Sequence, residues 1–251
     1  MGRFRSRLNA GELQIGAGVT FNDPLVSEAL ADSADFLWFD LEHMHLDPAT
    51  LNAHLMAARG RRTPSFVRVR DVDAREVKAV RDAGAEGIVA PQVTTVEQVE
   101  ELVANCRYPP VGRRGLFPRV PTNWGRSGGP EYFRKATREV FVAVMIETRE
   151  AVAAIEDIVR IAGLVSVILR LGALSWSLGR LVDFDHPGLH ECADRVLAAA
   201  QAVGMPVGAG AALDIGFVRD LVSRGVTWAQ VGSDFEYMIR TFDDGISALR
   251  G

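Results

Sequence analysis

The sequence predicts a (β/α)8 TIM barrel, because eight short apolar runs alternate with stretches of helical periodicity along a chain of 251 residues. Barrels of roughly 250 residues fold as one domain, so we expect residues 1–251 to form a single unit. Apolar, often β-branched residues fill each run, and polar turns follow. The runs predicted as strands are Leu13–Phe21, Phe36–His43, Ser65–Val69, Gly87–Val93, Phe141–Glu147, Leu164–Leu171, Pro206–Ala211 and Thr227–Asp234.

Helix signals separate these strands. Asp47 is predicted to cap a helix with Pro48 at its first position, and helical stretches are predicted from Asp73 to Asp82 and from Thr95 to Cys106. Regular alternation favours a parallel sheet, and eight units favour its closure into a barrel. The alternative is a doubly wound open sheet, which needs a glycine-rich dinucleotide turn after an early strand. The sequence contains no such turn.

Composition and charge argue against several classes of protein. The formal net charge is −4, so no global basic field attracts nucleic acid or an anionic membrane. No apolar run approaches the roughly 20 residues that span a bilayer, and the first residues lack the apolar stretch of a signal peptide. Cys106 and Cys192 lie far apart without a metal-ligand pattern, which indicates a reducing compartment. We expect a cytoplasmic protein that binds neither nucleic acid nor membrane.

Residues 108–135 interrupt the alternation of strands and helices between the fourth and fifth predicted strands. This segment, called the insertion below, holds prolines, glycines and arginines around a short helical stretch and is too long for a plain connection. It is interpreted either as a lid or rim of the active site or as an arm that contacts a second subunit, and both interpretations can hold together. Phe117 and Trp124 are candidates for an aromatic lid.

Polar side chains collect near the strand ends, where barrel enzymes carry their chemistry. The second strand ends in Asp40-Leu41-Glu42-His43, the third carries Arg68, and Asp82 falls just before the fourth. The fifth strand ends in Glu147 and the eighth in Ser233-Asp234. Structural roles remain open for single members, such as a helix cap or a barrel-mouth ion pair. Together these residues form the candidate site.

Several segments in the same order resemble motifs of the HpcH/HpaI aldolases, which are metal-dependent 2-oxo-acid aldolases related to the citrate lyase β-subunit. The resemblance runs from about residue 8 to about residue 245. The segments are Phe39-Asp40-Leu41-Glu42-His43, Val67-Arg68-Val69, Asp82-Ala83-Gly84-Ala85-Glu86-Gly87-Ile88-Val89-Ala90-Pro91, Tyr108-Pro109-Pro110-Val111-Gly112-Arg113-Arg114-Gly115, Met145-Ile146-Glu147-Thr148 and Leu174-Ser175-Trp176-Ser177-Leu178-Gly179.

The resemblance implies a divalent cation, Mg²⁺ or Mn²⁺, that binds the 2-oxo acid and stabilises its enolate. In the family this cation is held by two carboxylates at the ends of the fifth and sixth strands. The matching residues are Glu147 as the first metal ligand, His43 as the base, Asp82 as the acid that orients this histidine, Arg68 as the arginine that polarises the oxo group, and Asp40 and Glu42 as further acidic positions. The catalytic set implied is therefore His43, Asp82, Arg68 and Asp40.

The second metal ligand of the family is missing. In relatives the sixth strand ends in G-P-x-D-L-S, and here the aligned run is Arg170-Leu171-Gly172-Ala173-Leu174-Ser175, with Ala173 in place of the aspartate and Val165 in place of an earlier acidic residue. A single carboxylate holds Mg²⁺ weakly. Arg170 beside it weakens binding further, by about 1–4 kcal/mol of like-charge repulsion. Residues 170–173 and Arg68 are predicted to contact the substrate.

Three hypotheses follow from this departure. In the first, the protein is an aldolase whose metal is held by Glu147 and by the substrate. In the second, Arg170 takes over the role of the cation, and it pairs with Glu147 in the unliganded state and with a substrate carboxylate or enolate when substrate is bound. Such a metal-free site runs a repurposed reaction, for instance a decarboxylation, elimination or cyclisation. In the third, the chain is a non-catalytic binding subunit, against which the presence of His43, Asp82, Arg68 and Glu147 argues.

We favour a carbon–carbon lyase or synthase acting on a small 2-oxo acid through an enolate. Members of the family are commonly hexamers in which the last helix packs on a neighbouring subunit. The resemblance therefore implies a homo-oligomer with the C-terminal helix at its interface.

Overall fold

Eight parallel strands form a closed barrel in which each strand pairs with its neighbours in chain order, and β8 pairs with β1. The computed structural model describes residues 2–116, 118–181 and 183–251. The strands are β1 (Gln14–Val19), β2 (Phe36–Asp40), β3 (Ser65–Arg68), β4 (Gly87–Ala90), β5 (Phe141–Ile146), β6 (Ser166–Leu169), β7 (Val207–Ala211) and β8 (Val226–Ser233). The predicted TIM barrel is confirmed, and the doubly wound alternative is wrong.

Helices cover the outside of the barrel. They are α1 (Gly2–Asn9), α2 (Pro24–Ala31), α3 (Pro48–Arg61), α4 (Ala74–Ala83), α5 (Val96–Cys106), α6 (Pro130–Glu139), α7 (Arg149–Ala153), α8 (Ile155–Ile158), α9 (Leu171–Ser177), α10 (Pro187–Ala202), α11 (Ile215–Ser223) and α12 (Asp234–Arg250). As predicted, Asp47 caps α3 by accepting a hydrogen bond from the Thr50 backbone amide. In the described ranges, no helix combines the length and apolar character needed to cross a membrane.

The interior of the barrel is aromatic at its amino-terminal end. Alternate residues of each strand point inward. The ring of Phe66 stacks on Phe36 with centroids 4.8 Å apart and on Phe141 with centroids 4.6 Å apart. Helix α1 places Phe4 edge-on against all three rings, and Phe4 is only 2% exposed. This aromatic plug closes the amino-terminal end, so substrate access is left to the carboxyl ends of the strands.

The insertion lies at the end of the barrel opposite to the predicted lid position. It links α5 to α6, which leads into β5, so this connection joins a helix to the start of a strand. In a (β/α)8 barrel such connections lie at the amino-terminal face, whereas active sites lie at the carboxyl face. A lid over the site of the same chain is therefore wrong, and the subunit-contact interpretation stays a prediction. Trp124 is 68% exposed, and Phe117 lies outside the described residues.

Gly208 on β7 leaves space for the ring of Trp228 inside the barrel, since a Cβ atom at residue 208 would overlap the indole. We predict that Gly208→Ala destabilises the fold by about 1–3 kcal/mol, because the packed interior cannot yield to an added methyl group. Urea unfolding followed by tryptophan fluorescence measures the change. The matched control is Gly60→Ala on α3, where an added Cβ meets no atom within 4 Å. An equal effect of both substitutions would contradict the close packing.

Candidate active site

Strand alternation brings four charged residues to the inside of the barrel at its carboxyl end. Asp40 and Arg68 are paired residues on β2 and β3, at the ends of these strands. Glu147 follows Ile146, the last residue of β5, and Arg170 follows Leu169, the last residue of β6, and these two final residues are partners in the sheet. Two carboxylates and two guanidinium groups therefore lie at this end of the barrel.

Arg68 is held by two carboxylates. Its Nε and Nη2 atoms donate to Asp40 at 2.9 and 2.5 Å, and Nη1 lies 2.9 Å from Oε2 of Glu42. Burial opposes the ionisation of Asp40, but the hydrogen bonds and charge of Arg68 outweigh it and lower the pKa of the Asp40 carboxyl. Asp40 also accepts from the backbone amides of Glu42 and His43. Asp40 thus fixes Arg68 and the following loop, which is a positioning role.

Glu147 is anchored by Gln92, a residue that the sequence analysis did not select. The backbone amide of Gln92 donates to Oε1 of Glu147 at 2.6 Å, and its side-chain nitrogen donates to Glu42 at 2.7 Å. Gln92 adopts a φ of 50°, which aims its amide at the site. The glutamine lies inside the run Gly87–Val93 that was predicted as a strand, whereas β4 ends at Ala90, and the backbone conformation of Gln92 could not be read from the sequence.

Arg170 has no carboxylate within 4.0 Å among the residues that the structure describes. Its side chain runs along β7, where a Cβ atom at Gly210 would overlap Nη1 of Arg170. Desolvation and the charge of Arg68 lower the pKa of Arg170, while the charges of Glu147, Glu42 and Asp40 raise it. A guanidinium remains protonated at neutral pH. A cation that is largely desolvated and lacks a close anionic partner is a binding group for an anion.

A cavity of about 170 Å³ lies between the two guanidinium groups and strands β1, β7 and β8. Its polar lining includes Thr20, Gln230, Ser233 and Glu236, of which only Ser233 was part of the predicted cluster. Asp234 is buried beside the cavity and accepts from the Thr20 hydroxyl and from the amides of Thr20 and Phe21. Thr20 follows the end of β1, and Glu236 lies three residues after the end of β8. Polar residues are common at such positions, so the sequence did not single these two out.

His43 lies at the mouth of the site, with 64% of its side chain exposed and Nε2 at 3.6 Å from Oε2 of Glu42. Asp82, the acid predicted to orient His43, lies at the other end of the barrel. Asp82 lies near the end of α4, at the amino-terminal face, where its carboxylate contacts Arg114 at 2.7 Å and Lys78 at 3.0 Å. Within one chain the pairing of Asp82 with His43 is therefore wrong, because a helix residue just before a strand lies at the opposite end of the barrel.

The segment after β6 begins a short helix. Leu171 is 6% exposed and packs in the core between sheet and helices, so its side chain is turned away from the cavity. Gly172 and Ala173 are partly exposed in the first turn of α9. Contact of these three residues with substrate stays a prediction, and for Leu171 such contact would involve the backbone.

A resident divalent cation does not fit the donor atoms of this site. Asp40 and Glu42 already engage Arg68, and the methyl group of Ala173 supplies no ligand. Arg170 brings positive charge close to Glu147. Within the described ranges no group of three or more His, Cys, Asp or Glu side chains could hold a metal ion. Mg²⁺ needs several oxygen ligands in near-octahedral geometry, and one accessible carboxylate supplies too few of them.

Comparison with known proteins places the chain in a family. The family described as HpcH/HpaI aldolase/citrate lyase matches residues 19–241. A 5-keto-4-deoxy-D-glucarate aldolase of Klebsiella pneumoniae is 31% identical over 92% of this chain and 90% of its own length. A hydroxypyruvate/pyruvate aldolase of Roseovarius nubinhibens is 29% identical over 95% of this chain and 93% of its own length.

A solved structure agrees with these matches. The crystal structure of an HpcH/HpaI aldolase/citrate lyase family protein from Burkholderia cenocepacia covers 100% of both chains with a TM-score of 0.93 at 27% identity. The reaction class that these relatives share is aldolase-type cleavage of a carbon–carbon bond. The chain is an enzyme of this class and belongs to the HpcH/HpaI aldolase/citrate lyase family.

Proposed function

We propose that this aldolase-type lyase binds a small 2-oxo acid through Arg170 and stabilises its enolate with guanidinium charge instead of a resident divalent cation. A divalent metal is expected for members of the family, so this chain departs from its relatives at the enolate-stabilising step. The observation that carries the proposal is the desolvated guanidinium of Arg170, which faces the cavity without a carboxylate within 4.0 Å in the described part of the chain.

The substrate class follows from charge and size. A 2-oxo acid carries one carboxylate and a neighbouring oxo group, which match the planar donors of a guanidinium. The cavity of about 170 Å³ suits a molecule of a few carbon atoms. The related Roseovarius enzyme is named for hydroxypyruvate and pyruvate. We infer a substrate of the pyruvate type as the nucleophilic half of the reaction.

The proposed reaction is a reversible aldol step. In the cleavage direction a base removes the proton from the 4-hydroxyl group of a 4-hydroxy-2-oxo acid, and the C3–C4 bond breaks. The electron pair of that bond forms the enolate of the 2-oxo acid, an aldehyde leaves, and C3 then takes up a proton. In this proposal Arg170 and Arg68, which line the cavity, stabilise the negative charge that develops on the oxo oxygen, because fixed charges of this kind lower the barrier.

Each remaining residue has a role in this scheme. His43 is proposed as the base, because it lies at the mouth and its imidazole has Glu42 as its one carboxylate neighbour within 4.0 Å among the described residues. Asp40 and Glu42 hold Arg68 in place. Glu147, anchored by Gln92, supplies the negative charge that offsets the desolvation of Arg170.

We further propose that a second copy of this chain covers helix α12. An apolar strip on α12 is formed by Met238, Phe242 and Leu249, which are 58%, 69% and 86% exposed. Together with Val26 and Leu30 of α2, this strip lines a groove of about 780 Å³. Large exposed apolar patches mark protein interfaces. The strip supports the predicted homo-oligomer with the last helix at its interface.

Arg170→Met is predicted to raise KM for a 4-hydroxy-2-oxo acid by about 10- to 100-fold, the equivalent of losing one hydrogen bond to a charged group. Release of the 2-oxo acid, followed with a coupled dehydrogenase, measures the change. The matched control is Arg180→Met, an exposed arginine that does not line the cavity. Unchanged KM in Arg170→Met would contradict substrate binding by Arg170.

Phe242→Glu is predicted to lower the molar mass of the protein in solution, because a charge on the apolar strip opposes burial against a second copy. Light scattering coupled to size-exclusion chromatography measures the mass. Leu181→Glu is the control, since Leu181 is equally exposed at 69% and lies outside the groove. A monomeric wild-type protein, or an unchanged mass for Phe242→Glu, would exclude α12 as the interface.

A further inference from the structure

A second cavity lies at the amino-terminal face of the barrel, opposite to the candidate active site. This amino-face cavity has a volume of about 750 Å³, which is within the range of about 300–1,000 Å³ typical of small-molecule sites. Its walls come from the ends of α3 and α4, the starts of β3 and β4, the insertion and α6. Four basic side chains line it, and these are Arg59, Arg62, Arg81 and Lys135.

Arg81 is the central group of this cavity. The residue is 7% exposed, and Nη1 donates to the backbone oxygen of Ala85. The Nε atom of Arg81 is buried without a hydrogen-bond partner in the described residues. Desolvation and the neighbouring charge of Arg114 lower the pKa of Arg81 to about 10. A buried guanidinium with unused donors is costly unless an anion pairs with it.

No carboxylate in the described ranges lies within 4.0 Å of Arg81 as an anionic partner. Asp82 is the acidic group nearby along α4, but it is already shared by Arg114 at 2.7 Å and Lys78 at 3.0 Å. The Nε and Nη1 atoms of Arg114 are also buried without hydrogen-bond partners. Among the described residues, the guanidinium groups of Arg81 and Arg114 therefore have one carboxylate near them, that of Asp82, and Lys78 also contacts it.

Beyond Arg81, three basic and three acidic side chains line the cavity. Arg59, Arg62 and Lys135 have no carboxylate within 4.0 Å in the part of the chain that the structure describes. Of the acidic lining residues, Glu139 lies 3.8 Å from Arg138, and Glu86 has a partner of its own. Glu131 remains at the exposed edge on α6.

We propose that the amino-face cavity binds a small molecule bearing an oxyanion, either a carboxylate or a phosphate, at Arg81, Arg62 and Lys135. The active site does not account for these residues, because it lies at the other end of the barrel. The guanidinium group of Arg81 supplies a buried positive charge in the cavity wall, and the exposed Arg62 and Lys135 supply charge at the entrance. This ligand site is separate from substrate binding.

Isothermal titration of the full-length protein with inorganic phosphate and, separately, with malonate tests the proposal at constant ionic strength. We expect saturable binding of at least one probe, and the Arg62→Ala/Lys135→Ala variant is expected to lose affinity by about tenfold or more. Both substituted residues are exposed, so the fold should persist. The matched control is Arg75→Ala/Arg134→Ala, which removes two exposed charges outside the cavity and should bind like wild type.

The same titrations with Arg170→Met separate this site from the active site. Binding that persists in Arg170→Met and weakens in the Arg62→Ala/Lys135→Ala variant supports the proposal, and a preference between phosphate and malonate identifies the oxyanion. Binding that disappears in Arg170→Met belongs to the active site and overturns it. Absence of binding of both probes, with a lower molar mass for the Arg62→Ala/Lys135→Ala variant, would show a subunit interface instead and would also overturn it.

Discussion

Closure of an eight-stranded parallel barrel is the constraint on which the site depends. Alternate residues point inward, so each strand contributes one final inward side chain at its carboxyl end. Asp40, Arg68, Glu147 and Arg170 occupy such positions, while Phe36, Phe66, Phe141 and Phe4 fill the other end. The aromatic plug therefore leaves the polar end as the place for substrate, and a shift of one residue in any strand would turn its charge outward.

Charge balance at the carboxyl end is the basis of the proposal that this enzyme works without a resident divalent cation. Arg68 has two carboxylate partners, whereas Arg170 lines the cavity with no carboxylate within 4.0 Å among the residues that the structure describes. Gly210 leaves room for this long side chain beside β7. Relative to the family motif, Ala173 lacks the carboxylate of the second metal ligand, and Arg170 adds a positive charge at the same strand end. A divalent ion at the same place would experience like-charge repulsion of about 1–4 kcal/mol.

The strand–helix order, all eight strands and the inward charged residues could be predicted from apolar periodicity and strand ends. Gln92 could not, since its role depends on a backbone conformation rather than on residue type. The positions of Asp82 and the insertion were misjudged for one reason: closeness to a strand in sequence does not tell which end of the barrel a residue occupies. Topology places both at the amino-terminal face, and there the insertion helps to form the amino-face cavity. Helix α1 lacked a long apolar repeat, so the inward position of Phe4 became evident only from the packing.

Calorimetric titration of Mn²⁺ in the presence of pyruvate tests whether Arg170 occupies the role of the metal ion. We predict no saturable binding of Mn²⁺ by the wild-type protein at millimolar concentrations. We predict binding by the Arg170→Gly/Ala173→Asp variant, in which the second carboxylate is restored and the competing cation is removed. Tight binding of Mn²⁺ by the wild-type protein would show that Arg170 does not replace the metal ion and would make metal-dependent aldol chemistry the better description.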